Sequence, residues 1–164
     1  MGPTPGGRGS LYELTQAGRA LRSVVLALQD WGLKWAELTP EHAHPGVVLW
    51  SWVTGYLRTD LLPQRRVLIR FEFPAIQGQA RRGWVLAAHG AAKICEKNSG
   101  FEEDLVVTVN DPLVFARRHL GEIEWREALR SAAIVVTGQR QLARALPTWD
   151  RRVVPVGPSA DERR

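Results

Sequence analysis

RRVLIRFEF, residues 65–73, decides the fold. Val67, Ile69, Phe71 and Phe73 alternate with Arg66, Leu68, Arg70 and Glu72. A period of two sends successive side chains to opposite faces, so this stretch is a half-buried strand. Downstream, Gly78 lies in a turn, and Arg81 and Arg82 lead into a second strand with Trp84, Leu86 and Ala88 on one face. A short third strand around Lys93, Ile94 and Cys95 follows His89-Gly90, and Asn98-Ser99-Gly100 makes another turn. A fourth strand holds Leu105, Val107 and Val109 inward, with Val106 and Thr108 on the other face. Four successive strands of this kind read as an antiparallel meander.

The pattern then changes. Asp111 is a candidate N-cap, and Pro112 sits at the first helical position, where its missing N–H costs nothing. Leu113, Phe115, Ala116 and Leu120 follow, and Gly121 is a stop signal. A short helix carries Trp125, Ala128 and Leu129, a fifth strand covers residues 134–137, and a last helix bears Leu142, Ala145 and Leu146 before Pro147. Upstream of the sheet, residues 47–57 form a helix that is apolar nearly all round, which implies cover on several sides. Before it, Thr15 caps a helix expected to run to about residue 37. Leu21, Val24, Val25, Leu28, Trp31 and Trp35 fall on one face of it. The expected class is α+β: a sheet covered on one face by helices, with an N-terminal helical arm. Residues 1–10, with four Gly and two Pro, and the charged end at residues 153–164 are expected to be tails.

The chain has 164 residues, enough to bury a core without disulfides or a metal. Hydrophobic residues at 45% and charged residues at 24% describe a globular rather than a disordered chain. No apolar run approaches the ~18–20 residues of a membrane span, and no secretory signal opens the sequence. The single Cys95 excludes a disulfide framework, so the expected compartment is the cytoplasm. The net charge of +5 is uneven: +1 over residues 1–40, +4 over 41–100 and zero beyond. The basic excess gathers at Arg65, Arg66, Arg70, Arg81 and Arg82. This is a solvated sheet face and turn, or a docking patch for an anion such as a phosphate or acyl-CoA head group.

No phosphate-binding glycine loop and no G-x-S-x-G elbow is present. His42, His44, His89 and His119 lack the spacing of a metal site. Cys95 beside Ile94 reads as a structural thiol, and Glu102-Glu103-Asp104 as a solvated cluster. No catalytic residue, metal or cofactor is assigned, and the chain is expected not to be an enzyme. Seven Trp is a high count, and each indole N–H needs an acceptor. Trp50, Trp52, Phe71, Phe73, Trp84, Phe115 and Trp125 should converge between sheet and helices. They form either a filled core or the lining of an apolar ligand pocket.

Two stretches resemble known families. LYELTQAGRAL and LALQDWG within residues 11–32 resemble the end of the winged helix-turn-helix domain of HxlR-type transcriptional regulators. There a strand end leads into a long dimerising helix, and Tyr12, Leu14, Thr15, Gly18, Leu21, Leu28, Trp31 and Gly32 match. RTDLLPQRRVLIRFEF and the run from Glu102 to Trp149 are similar to the sterol-carrier-protein-like domain appended to some of these regulators. The resemblance implies a mixed five-stranded sheet with helices on one face over residues 41–152, an apolar cavity, and a wing remnant and dimerisation helix over residues 11–40. It implies a homodimer through Leu21, Val24, Leu28, Trp31 and Trp35. Carrier relatives hold sterols, fatty acids or acyl-CoA. Only a Gly/Pro-rich stretch precedes Leu11 in this sequence, so DNA binding is expected only with a complete winged-helix domain upstream. The leading expectation is the ligand-sensing and dimerising part of such a regulator. The alternatives are a stand-alone carrier of a lipid or other apolar ligand and a structural dimerisation module.

Overall fold

A computed structural model describes residues 2–3, 10–11, 14–35, 38–95, 97–98 and 100–150. The chain divides into two compact units between Glu37 and Leu38. In the first, β1 (Gly2–Pro3) pairs antiparallel with β2 (Ser10–Leu11), inside the stretch expected to be a tail. Residues 4–9, and the expected C-terminal tail at 153–164, lie outside the described residues. α1 (Gln16–Ala20) and α2 (Arg22–Trp35) follow. Thr15 caps α1 as expected, its hydroxyl accepting from the Gly18 N–H at 3.1 Å. The single helix expected here is thus two segments meeting at Leu21, and the Val25 N–H to Leu21 O bond of 3.0 Å bridges the junction.

The second unit opens with a 3-10 turn over Pro40–His42 and continues with α3 (Pro45–Ser51), Pro45 standing at the first helical position. The helix does not simply continue to residue 57. Trp52–Tyr56 form a π-helical turn, closed by Leu57 N–H donating to Trp52 O at 2.8 Å. Nor is it covered all round: Val48, Leu49, Trp52 and Tyr56 are buried, while Val47 and Trp50 stand in solvent.

The sheet contains β3 (Val67–Glu72), β4 (Arg82–Ala88), β5 (Ala91–Cys95), β6 (Leu105–Val109) and β7 (Ile134–Gly138). Its order is β5-β4-β3-β6-β7. All neighbours are antiparallel except β3 and β6, which run parallel. The meander reading is therefore corrected: only β3, β4 and β5 form one. β6 crosses back to the free edge of β3 and lies between β3 and β7, with Leu105, Val107 and Val109 wholly buried. Asp104 fixes that pairing. Its backbone N–H donates to Leu68 O at 2.9 Å, and its carboxylate accepts from Leu68 N–H at 2.8 Å.

α4 (Pro112–His119) starts as its sequence indicates, with the Asp111 carboxylate accepting from the N–H groups of Leu113 and Val114. α5 (Trp125–Arg130), α6 (Arg140–Ala145) and a short 3-10 helix over Leu146–Trp149 complete the unit. Val67, Ile69, Phe71, Leu105, Val107 and Val109 face α3 and α4 and are fully enclosed. In β4 the alternation is as expected but its phase is reversed. Gly83, Val85 and Ala87 are buried toward the helices, and Trp84 and Leu86 turn to the outer face. The cause is α3: Leu49 Cδ1 lies 2.8 Å from where a Cβ on residue 83 would stand, so the helix seats against a glycine. The result is an α+β unit with a mixed five-stranded sheet covered by helices on one face.

Candidate functional site

The enclosed face of the sheet carries an aromatic cluster at its centre. Phe71 from β3, Phe115 from α4 and Trp52 from the π turn are all fully buried. Trp52 meets Phe71 edge-on at 5.3 Å between ring centroids and Phe115 at 6.0 Å, and Phe71 lies 5.7 Å from Phe115. Such pairs are each worth about 0.5–1.5 kcal/mol beyond the area they bury. Phe73, also fully buried, extends the same face.

Beside the cluster lies a buried ion pair. Arg118 stands one helical turn after Phe115 on α4 and is only 4% exposed. Its Nη1 donates to Asp150 Oδ2. The indole N–H of Trp52 donates to Asp150 Oδ1 at 2.5 Å, and that of Trp125 to Oδ2 at 2.6 Å. One carboxylate thus accepts from three donors on three elements. The backbone delivers it there: Asp150 bridges antiparallel to Leu57, and Arg58 N–H donates to Trp149 O at 2.6 Å. The guanidinium centre lies 4.2 Å from the Trp125 ring and 5.3 Å from that of Phe115. Arg118 Nε and Nη2 are shut off from solvent and have no hydrogen-bond partner among the described residues. Leaving such a donor unmade costs roughly 1–3 kcal/mol. Burial pushes the Asp150 carboxyl above its ordinary value, against the pull of Arg118 and the two indoles. The same burial lowers Arg118 from its ordinary value, against the pull of Asp150.

Of the seven aromatic residues expected to converge, Trp52, Phe71, Phe73 and Phe115 share the enclosed face, and Trp125 joins through Asp150. Trp50 does not; it is 62% exposed, because α3 presents positions 48, 49 and 52 to the sheet and 50 falls opposite. Trp84 does not either: it lies on the outer face, its indole donating to Glu103 Oε1 at 2.9 Å. The sequence reading passed over Arg118 and Asp150. The available signal was the acceptor that buried Trp52 and Trp125 each require.

The arginine cluster of the outer face is largely occupied. Arg65 holds Asp104 at 2.8 Å and Gln139 at 2.7 Å; Arg70 holds Glu72 at 2.9 Å and Glu103 at 3.0 Å; Arg82 reaches Glu72 at 3.4 Å. Arg66 lies 4.4 Å over the Phe101 ring. The acidic run at 102–104 is thus the counterpart of the basic one, which favours the solvated face over the anion dock. His42 caps its own turn, accepting from Thr39 N–H at 3.2 Å. Among the described residues no group of three His, Cys, Asp or Glu side chains could hold a metal ion. No helix among them is long and apolar enough to cross a membrane. Leu21 at the junction and Val24, Leu28 and Trp31 on α2 are 52% to 62% exposed; the Trp35 side chain lies outside the described residues.

No protein-family model matches the chain, and no curated protein matches it. Among solved structures, the stereoselective inverting sec-alkylsulfatase Pisa1 from Pseudomonas sp. is similar with a TM-score of 0.48 and 12% identity, over 72% of this chain and 17% of that one. A double mutant of the same sulfatase gives 0.49 at the same identity and coverage. The chain thus spans 17% of the sulfatase's length. The ubiquinone synthesis protein UbiJ-SCP2 gives a TM-score of 0.41 and 12% identity, over 80% of this chain and 93% of that one. Likeness at this identity concerns the path of the backbone and not the chemistry. No family model supports the resemblance to HxlR-type regulators.

Proposed function

We propose that residues 38–155 carry an apolar small molecule between the sheet and its helices, as a stand-alone carrier rather than as the effector arm of a transcriptional regulator. The observation that supports this is the Trp52–Phe71–Phe115 cluster, a contiguous aromatic surface at the seam of two helices and a sheet. The resemblance of this stretch to carrier-like domains points the same way. The cluster is fully enclosed, so a ligand reaches it by displacing the π turn. A π turn is a natural place for that motion, because its wider hydrogen bonding is marginal and such turns recur at functional sites. Gly55 within it adds backbone freedom.

The test is a titration of the whole chain with 1-decanol, read by Trp emission. Saturable quenching or a blue shift that is lost in Phe115→Asp, a variant first shown to be folded by circular dichroism, supports a carrier. A linear, unsaturable response in the parent chain contradicts it.

A second reading is favoured by a separate observation. Leu21 at the junction and Val24, Val25, Leu28 and Trp31 on α2 face solvent along one stripe. A stripe of that spacing suits a second copy of the same helix. Light scattering tests it: a dimer that becomes a monomer in Leu28→Glu supports the interface, and an unchanged mass contradicts it.

A further inference from the structure

We infer that Arg118 is the recognition site for the carboxylate head of an apolar acid; this rests on the carrier reading and names its ligand class. A guanidinium has five N–H donors, and its Nε–H and one Nη2–H lie parallel along a single edge. That edge matches the two oxygens of a carboxylate side-on. In this chain the other end of the group is taken: Nη1 serves Asp150. Nε and Nη2, the two atoms of the parallel edge, are the two that are buried without a partner among the described residues. The side chain is 2% exposed, so bulk water does not satisfy them.

The geometry around that edge suits a two-oxygen acceptor. Asp150 and, through space, Glu124 act on the charge of Arg118, but Asp150 takes only Nη1 and shares its oxygens with the indole N–H groups of Trp52 and Trp125, so what the free edge lacks is acceptor atoms. The guanidinium is held flat over Trp125 and close to Phe115, which removes its rotational freedom before any ligand arrives. Phe115 belongs also to the aromatic cluster. A molecule whose head meets the Arg118 edge therefore lays its apolar body on Phe115, Phe71 and Trp52. The polar and apolar halves of the site adjoin, as the two halves of an amphipathic acid do.

The experiment compares decanoate with 1-decanol, below their aggregation limits, by calorimetric titration of the full chain. Decanoate is expected to bind about tenfold or more tightly, since a hydrogen-bonded charged head adds that much over a hydroxyl. In Arg118→Lys, which keeps the charge but loses the parallel donors, the preference for decanoate over 1-decanol should be lost. The parent chain also allows a reading without a variant: the Arg118 Nε–H resonance should move downfield with decanoate and stay put with 1-decanol. Equal affinity of acid and alcohol in the parent chain overturns the head-group assignment and leaves the carrier reading standing. Failure of both molecules to bind overturns the carrier reading itself.

Discussion

Asp150 is the residue on which the most depends. It ties the chain end to α4, α5 and the π turn through Arg118, Trp125 and Trp52. Breaking a buried pair leaves the surviving charge unpaired, which costs about 3–5 kcal/mol. Asp150→Ala should therefore lower the unfolding free energy measured in urea by that much, whereas Arg118→Met combined with Asp150→Ala should cost less than the single change. A double variant no more stable than Asp150→Ala would show that the pair is not the unit. The pH dependence has a defined sign. Burial holds the Asp150 pKa in the folded chain above its ordinary value of 3.8, so the folded state binds the proton more tightly. The contribution of Asp150 to stability is then fully present below 3.8 and is lost as pH rises through the folded value. The stability difference between the parent chain and Asp150→Asn should shrink over that rise; a difference that grows would contradict the assignment. Two backbone positions give further checks. Gly138 has φ +117°, and a Cβ there would stand 2.3 Å from Asp104 O, so Gly138→Ala should cost more than about 1 kcal/mol. Ala132 has φ +55° directly after the last turn of α5, where glycine is the usual occupant. Ala132→Gly should gain up to ~1 kcal/mol in a thermal melt.

At the level of elements, what the sequence revealed and what it hid follow from different interactions. α4 was legible because its start is local: Asp111 and Pro112 act within one turn. The alternation in RRVLIRFEF was legible because Val67, Ile69 and Phe71 face a core and Arg70 and Glu72 do not. The phase of β4 was not, since Trp84-Leu86-Ala88 is more apolar than Gly83-Val85-Ala87. Only the approach of Leu49 from another element explains why the glycine side faces inward. The parallel pairing of β3 and β6 was hidden for the same reason, because it depends on Asp104 reaching Leu68 across 36 positions. Of the site, the aromatic members were foreseen and the ion pair was not: Arg118 and Asp150 lie 32 positions apart and look like ordinary surface charges in sequence.

For the molecule as a whole, the boundary between Glu37 and Leu38 separates two compact units. The aromatic cluster, the ion pair and the entire five-stranded sheet belong to the second unit. Residues 38–155 alone should therefore unfold in one cooperative transition and bind 1-decanol as the full chain does. Any self-association through α2 should be absent from that fragment. A carrier of this kind holds its apolar molecule against the helix-facing side of the sheet. Nuclear Overhauser contacts from protonated 1-decanol to the aromatic rings of the otherwise deuterated protein test it most directly. Contacts to Trp52, Phe71 and Phe115 are predicted; contacts confined to Trp84 on the outer face, or to Trp50 on the exposed side of α3, would contradict it.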